Sequence, residues 1–178
     1  MRRAVCSGSF DPVTLGHVDV FERASRMFDE LIICVFRNIE KKGFFSVEER
    51  VRLIEEATAH LNNVRVTSFS SLITDFMVQQ DAHIIVRGVR SVKDLEYEEN
   101  EAYMIKHLNP EIDTVFLLTR PDLSYVSSSG VWEVFRFGGS VHGLVPACVE
   151  QAMQDKKREM SMGKGSSSYV STRDLGQD

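Results

Sequence analysis

Segments of this chain bring together residue types that bind phosphate. The first segment begins at Gly8 and Ser9 and ends at Gly16 and His17. A glycine lets backbone N–H groups approach a ligand closely, and a helix beginning near His17 would offer free N–H groups and the positive end of its dipole. His17 can also donate a hydrogen bond to a phosphate oxygen and add positive charge in a transition state. The plainer interpretation of these residues is a tight turn followed by a helix cap.

Three further segments carry cations or hydroxyl groups. Lys41 and Lys42 follow an apolar run, and Arg87 and Arg90 follow a second one. A guanidinium is suited to phosphate because its planar fork is permanently charged and binds two oxygens at once. The last segment has consecutive serines whose hydroxyls and amides would lie at a helix start: Ser127, Ser128 and Ser129. Individually these features also fit a solvated lysine pair, an ion-pair cluster and an ordinary helix cap.

The chain lacks the standard motifs of several enzyme classes. It contains neither G-x-x-x-x-G-K-[ST] nor G-x-G-x-x-G, so neither a P-loop nor the usual dinucleotide-binding motif is present. The chain also lacks H-E-x-x-H, and its histidines are scattered, which argues against a zinc site. It lacks G-x-S-x-G, which argues against a hydrolase. Cys6, Cys34 and Cys148 lie far apart, which favours a reducing compartment over a disulfide framework. We therefore expect a cytoplasmic protein with no metal ligated by its own side chains.

The composition predicts one soluble domain. The chain has 178 residues, of which 43% are apolar and 26% are charged. Its net charge is −5, from 21 basic and 26 acidic residues, which argues against a nucleic-acid partner because phosphate backbones need a basic face. No run approaches the about 18 apolar residues of a membrane span, and the N-terminal apolar run is too short for a signal peptide. Neither nucleic acid nor a membrane is predicted as a partner.

Strand and helix patterns alternate along the chain. Short apolar runs predict strands at 4–6, 31–36, 64–66, 84–86 and 114–118. Amphipathic periodicity and capping residues predict helices at 16–27, 47–60, 72–80, 92–108, 127–137 and 146–159. This alternation predicts an α/β fold with a five-stranded parallel sheet and helices on both faces. Ligands of such sheets bind at the carboxyl ends of the strands, where the four segments would lie.

The combined motifs resemble those of bacterial phosphopantetheine adenylyltransferases, in the nucleotidyltransferase superfamily. The resemblance rests on G-S-F-D-P with T-x-G-H at 8–17, F-S-x-E-E-R at 45–50, R-G-x-R at 87–90, D-x-E-Y-E at 94–98 and V-S-S-S at 126–129. It implies a Rossmann-like nucleotidyltransferase domain at 1–160. Residues 161–178 hold five Ser and three Gly, and we predict a flexible C-terminal tail there.

The resemblance also implies an activity and a set of site residues. The family transfers AMP from ATP to 4′-phosphopantetheine, giving dephospho-coenzyme A and pyrophosphate in the penultimate step of coenzyme A synthesis. It implies an ATP site at Ser9, Phe10, His17, Gly88, Val89, Arg90, Glu98, Leu123, Ser124, Tyr125, Val126, Ser127, Ser128 and Ser129. The acceptor would contact Ser9, Lys41, Ile73 and Arg87. The catalytic residues would be His17, Lys41 and Arg90, and Mg²⁺ would be delivered with ATP.

Several expectations and alternatives accompany this resemblance. It implies a homohexamer and feedback inhibition by coenzyme A. Trp132 occupies a position where a lysine is frequent in the family, which removes a possible phosphate contact. One alternative is another transferase of the same fold, such as one acting on nicotinate mononucleotide. A second alternative is a nucleotide-binding regulator without catalytic activity, although a regulator would not need residues that bind the acceptor. A third is a nucleic-acid-binding module, which the net negative charge disfavours.

Overall fold

The computed structural model describes residues 1–36 and 43–165. It contains a five-stranded sheet formed by β1 (Arg3–Gly8), β2 (Glu30–Phe36), β3 (Val64–Phe69), β4 (Ile84–Val89) and β5 (Asp113–Leu118). All pairings are parallel, and the strand order is β3-β2-β1-β4-β5. The predicted α/β fold with a parallel sheet is confirmed.

Within the described residues, six helices flank the sheet: α1 (Leu15–Ser25), α2 (Val47–Ala57), α3 (Ile73–Gln79), α4 (Val92–Leu108), α5 (Ser128–Arg136) and α6 (Ala147–Gly165). A short 3₁₀ turn at Pro121–Leu123 follows β5. In the described part of the chain, no helix combines the length and apolarity that crossing a bilayer requires.

Two apolar clusters cover the two faces of the sheet. Along β2, Leu31, Ile33 and Val35 belong to the larger cluster, while Ile32 and Cys34 belong to the smaller one. This alternation is the expected result of the two-residue period of a strand that is buried on both faces. The larger cluster packs residues of α1, α2, α5 and α6, and the smaller one packs residues of α3 and α4.

Several predicted boundaries are wrong by a few residues. β1, β3 and β4 extend beyond the predicted 4–6, 64–66 and 84–86, because neighbouring strands continue to pair past the apolar runs. Arg87 and Gly88 therefore lie inside β4 rather than after it. The last helix continues to Gly165 instead of ending near 159, so the predicted domain boundary at 160 falls within a helix. Residues 166–178 of the predicted flexible tail lie outside the described residues.

The chain reverses its direction of winding between β1 and β4. It places β2 and β3 on one side of β1, and then crosses over to place β4 and β5 on the other side. Loops on either side of such a switch point diverge and leave a crevice at the carboxyl ends of the strands. The fold therefore puts the segments after β1 and β4 beside the same crevice.

Candidate active site

A cavity of about 780 Å³ lies at the carboxyl ends of β1 and β4. Most of the predicted site residues line it: Ser9, Phe10, His17, Ile73, Arg87, Gly88, Arg90, Glu98, Val126, Ser127, Ser128 and Ser129. The volume lies within the usual range for a small-molecule or cofactor site. The topology thus brings together three segments that are far apart in sequence.

Four predicted residues in the described part of the chain are not among the cavity lining. Val89 is buried in β4, and Tyr125 is 73% exposed. Leu123 packs against the larger apolar cluster, and the hydroxyl of Ser124 donates to the carbonyl of Pro121. Lys41 lies outside the described residues, so its predicted role stays a prediction.

The loop after β1 is held in place by contacts that the sequence analysis did not predict. The guanidinium of Arg50 donates to the carbonyl of Ser9 at 2.8 Å. The carboxylate of Asp11 accepts the backbone N–H groups of Phe44 and Phe45 at 2.7 and 3.0 Å. Because charged groups form the stronger hydrogen bonds, these contacts fix the loop to α2 and to the segment preceding it. In the sequence, the only indication of these contacts was that Asp11 and Arg50 belong to the motifs that carry the family resemblance.

Phe10 gives the same loop its shape. Its φ of 47° lies in the left-handed region, which is uncommon for a bulky residue and occurs where the surroundings compensate for its cost. The ring is buried and makes edge contacts with His17 at 5.1 Å and with Phe21 at 5.3 Å between ring centroids. The aromatic packing offsets the backbone strain and holds the ring of His17 from one side.

His17 is held by a reciprocal cap at the start of α1. The backbone N–H of Thr14 donates to Nδ1 of His17 at 3.0 Å, and the N–H of His17 donates to the hydroxyl of Thr14 at 3.3 Å. Burial and, to a smaller extent, the positive charge of Arg90 lower the pKa of His17 from 6.5 to about 4. In this structure His17 is therefore a neutral hydrogen-bond donor at neutral pH. The expectation that it adds positive charge in a transition state stays a prediction.

Arg87 reaches the cavity from β4 and has three partners. Its Nη1 donates to the carbonyl of Ser7 at 3.0 Å, and Nη2 donates to Glu101 at 3.1 Å. Its Nε lies 3.3 Å from Oε2 of Glu98. Burial raises the pKa of Glu98, Arg87 opposes that rise, and the carboxylates of Glu101 and Asp94 add to it. Sequence analysis did not identify Glu101, because four other acidic residues of α4 precede it and no periodicity distinguishes it from them.

Arg90 is oriented from both sides of the cavity. Its guanidinium donates two hydrogen bonds to Asp94, at 2.9 Å from Nε and 3.2 Å from Nη2. Its Nη1 donates to the carbonyl of Val126 at 3.2 Å, in the segment that precedes α5. This arrangement ties the start of α4 to the start of α5, so Arg90 points towards the same region as the serines.

The three serines form the N-terminus of α5. Ser127 caps the helix by accepting the N–H of Gly130 at 3.0 Å, and the hydroxyl of Ser128 donates to the carbonyl of Pro12 at 2.8 Å. Two of the hydroxyls are thus engaged in shaping the cavity wall. The start of a helix presents its free N–H groups and positive dipole end, which suit an anion.

Trp132 faces away from the cavity. Its ring lies 4.3 Å from the ring of Phe44 and 6.1 Å from that of Phe135, between centroids. Nζ of Lys156 lies 5.6 Å from the centroid of Phe44, which continues the same cluster onto α6. The tryptophan therefore fills an apolar cluster and connects α5 to the segment before α2, and the serines keep the arrangement of a capped helix start.

The part of the cavity lining that the structure describes holds neither a thiolate nor a group of side chains that could bind a metal ion. Cys6 lines it, but burial raises the pKa of its thiol to about 12, which keeps the thiol protonated. Among residues 1–36 and 43–165, no three His, Cys, Asp or Glu side chains form a group that could hold a metal ion. The chemically useful groups in the described lining are donors: His17, Arg87, Arg90 and the start of α5. Such a site can bind and polarise phosphates.

This fold and this set of phosphate donors are typical of nucleotide-binding transferases. The family model described as cytidylyltransferase-like matches residues 5–134, and the chain belongs to that family. A solved structure from Vibrio parahaemolyticus, named as a nicotinate-nucleotide adenylyltransferase, covers 86% of this chain and 99% of its own with a TM-score of 0.63. Its 17% sequence identity shows the shared fold alone.

Closer relatives identify the branch of the family. Phosphopantetheine adenylyltransferase of Syntrophomonas wolfei is 49% identical over 156 residues, which are 88% of this chain and 97% of the relative. The protein of the same name from Shouchella clausii is 50% identical over 158 residues, which are 89% of this chain and 99% of the relative. Within the cytidylyltransferase-like family, the chain belongs with the phosphopantetheine adenylyltransferases.

Proposed function

We propose that this protein transfers AMP from ATP to 4′-phosphopantetheine and releases dephospho-coenzyme A and pyrophosphate. The observation that carries the proposal is that one cavity is lined both by His17, Arg90 and the start of α5 and by Arg87 and Ile73. The first group suits a triphosphate. The second offers a cation beside an apolar wall, as a phosphorylated acceptor with a long organic chain would require.

The acceptor itself supplies the nucleophile. A phosphate monoester has a second pKa near 6 and is mostly dianionic at pH 7. One of its oxygens attacks the α-phosphorus of ATP, a new P–O bond forms, and the bond to the β-phosphate breaks as pyrophosphate leaves. Because no proton has to be removed from the nucleophile, the protein needs no general base. A neutral His17 is compatible with this requirement.

The protein contributes positioning and hydrogen bonds. The proton on Nε2 of His17, the guanidinium of Arg90 and the N–H groups of α5 would donate to oxygens of the α-phosphate and of the leaving pyrophosphate. Lys41 and Arg87 would reduce the repulsion between the incoming dianion and ATP. Fixed donors of this kind stabilise charge without reorganising during the reaction.

Mg²⁺ would enter with ATP. Magnesium commonly keeps several waters and binds substrate phosphates rather than a dedicated protein cage. When bound, it neutralises charge on the phosphate oxygens. Asp94 is already engaged by Arg90, so we assign no side chain of the described residues as a magnesium ligand.

The test is pyrophosphate release from ATP and Mg²⁺ with different acceptors. We expect release with 4′-phosphopantetheine and none with nicotinate mononucleotide. Release with nicotinate mononucleotide alone would favour the other transferase. Binding of ATP without release in either case would favour a nucleotide-binding regulator.

We also propose that the enzyme is a cytoplasmic hexamer and that coenzyme A inhibits it. On α4 only Ile105 is buried, while Val92, Tyr103 and Met104 are 74%, 65% and 60% exposed. These exposed apolar side chains support the proposal that α4 contacts other subunits. Coenzyme A carries the pantetheine and adenosine groups of the product, so it would compete for the same cavity. Light scattering should give a mass of six chains, and added coenzyme A should raise the apparent KM for phosphopantetheine.

A further inference from the structure

The guanidinium of Arg87, which is predicted to contact the phosphorylated acceptor, already has three partners in the described part of the ligand-free structure. Nη1 and Nη2 donate to Ser7 and Glu101 at 3.0 and 3.1 Å, and Nε lies 3.3 Å from Oε2 of Glu98. Nη2 has a second N–H, but a phosphate bound to it would lie beside the carboxylate of Glu101, and the two negative charges would repel each other. Departure of a carboxylate from Arg87 would relieve this repulsion.

Glu101 is the partner that is free to leave. The carbonyl of Ser7 belongs to β1 and is fixed by the pairing of that strand with β2. The side chain of Glu98 is 21% exposed, and its Oε2 atom is buried without a hydrogen bond in the described part of the chain. The side chain of Glu101 is 39% exposed, and its other contact is the hydroxyl of Tyr97, which is itself exposed. Rotation of Glu101 into solvent breaks no contact with the core.

The charges at this end of the cavity favour such an exchange. Three carboxylates line the described cavity, Asp94, Glu98 and Glu101, against two guanidinium groups, Arg87 and Arg90. A carboxylate has one negative charge, whereas a phosphate monoester has about −1.5 to −2 and three acceptor oxygens. A phosphate can therefore displace a carboxylate from Arg87, and an uncharged acceptor cannot.

We propose that Glu101 competes with the acceptor phosphate for Arg87 and so limits the affinity for phosphorylated acceptors. In the absence of the acceptor it occupies Nη2 of Arg87, and a phosphate monoester replaces it there. Glu101 thereby lowers the affinity for a phosphorylated acceptor and leaves the affinity for an unphosphorylated one unchanged. This inference rests on the proposed function, because it takes a phosphorylated acceptor as the substrate.

The test is calorimetric titration of 4′-phosphopantetheine and of unphosphorylated pantetheine into the full chain and two variants. Glu101→Gln keeps the shape of the side chain and removes its charge. The matched control is Glu99→Gln, which removes the same charge from an exposed position on α4 whose hydrogen-bond partner is Tyr103. We expect Glu101→Gln to bind phosphopantetheine about three- to tenfold more tightly, with pantetheine unchanged and Glu99→Gln unchanged for both.

Three results would overturn the proposal. Unchanged or weaker binding of phosphopantetheine by Glu101→Gln would show that Glu101 orients Arg87 instead of competing for it. An equal gain for pantetheine, or an equal gain in Glu99→Gln, would show an effect independent of the phosphate on Arg87. Absence of phosphopantetheine binding to the unaltered chain would overturn both this inference and the proposed function. Tight phosphopantetheine binding without AMP transfer would contradict the proposed function alone.

Discussion

The backbone N–H of Thr14 donates to Nδ1 of His17 at 3.0 Å. That bond makes Nδ1 an acceptor, so in the neutral ring the proton is on Nε2. The two residues therefore fix both the tautomer and the orientation of the imidazole at the start of α1. In the proposed reaction His17 is a hydrogen-bond donor to phosphate whose tautomer is set before any ligand binds.

Removal of this donor should slow the chemical step. We expect His17→Ala to lower turnover by about 10²- to 10³-fold, the usual effect of losing one transition-state donor. The KM for ATP should change less, because Arg90 and the start of α5 remain. Steady-state assay of pyrophosphate release measures both quantities. Turnover equal to that of the unaltered enzyme would exclude His17 from the reaction.

The lowered pKa of His17 predicts a pH-dependent stability. The unfolded chain protonates this histidine near pH 6.5 and the folded chain only near pH 4. The unfolded state therefore binds more protons below pH 6.5, and the free energy of unfolding falls as the pH falls from 6.5 to 4. The loss should reach about 3 kcal/mol at most.

Comparison with His17→Asn isolates this contribution from that of the carboxylates. The asparagine carbonyl can accept the N–H of Thr14 but does not titrate. Urea unfolding at several pH values should show the unaltered protein losing more stability than His17→Asn below pH 6.5. Parallel curves for the two proteins would contradict the assigned pKa.

Lys41 is predicted to act on the acceptor. We expect Lys41→Ala to weaken phosphopantetheine binding, because it removes a cation from the acceptor phosphate, with a smaller effect on ATP. Lys42→Ala is the matched control, since the adjacent lysine is interpreted as a solvated side chain. Titration calorimetry with both ligands measures the difference. An unchanged affinity in Lys41→Ala, or equal losses in both variants, would refute the assignment.

Asp11 should stabilise the protein through the segment after β2. Asp11→Ala leaves the N–H groups of Phe44 and Phe45 without their charged acceptor, which should cost about 1–3 kcal/mol in the free energy of unfolding. Denaturant unfolding measures this loss. Glu55→Gln on the exposed surface of α2 should leave the stability nearly unchanged. Equal stability of the Asp11 and Glu55 variants would show that the Asp11 contacts are dispensable.

Local patterns were sufficient to predict the elements of the fold. The capping box of Ser46 and Glu49 predicts the start of α2, and both of its hydrogen bonds are present, at 2.6 and 3.1 Å. The apolar run 31–36 predicts β2, an interior strand of the sheet. The end of β4 was not predictable in this way, because Arg87 and Gly88 are in the strand through pairing with β5 rather than through their own propensity.

The site could be predicted only as a set of phosphate-binding segments. Parallel topology places Ser9, Arg87 and Ser128 beside one cavity, as the rule for strand ends predicts. The groups that orient them could not be predicted from periodicity or spacing. Asp11 reaches across 33 residues to Phe44, and the Arg50 side chain reaches across 41 residues to Ser9. Such contacts depend on the assembled fold, which also turns Trp132 away from the cavity.

The central claim is that the adenylyl group passes directly to phosphopantetheine. The most direct measurement uses ATP labelled at the α-phosphorus, with Mg²⁺ and 4′-phosphopantetheine, and follows the label by chromatography and mass spectrometry. The account predicts that the label appears in dephospho-coenzyme A, in an amount equal to the pyrophosphate released. Label that stays in ATP or appears in free AMP, with phosphopantetheine unchanged, would contradict it.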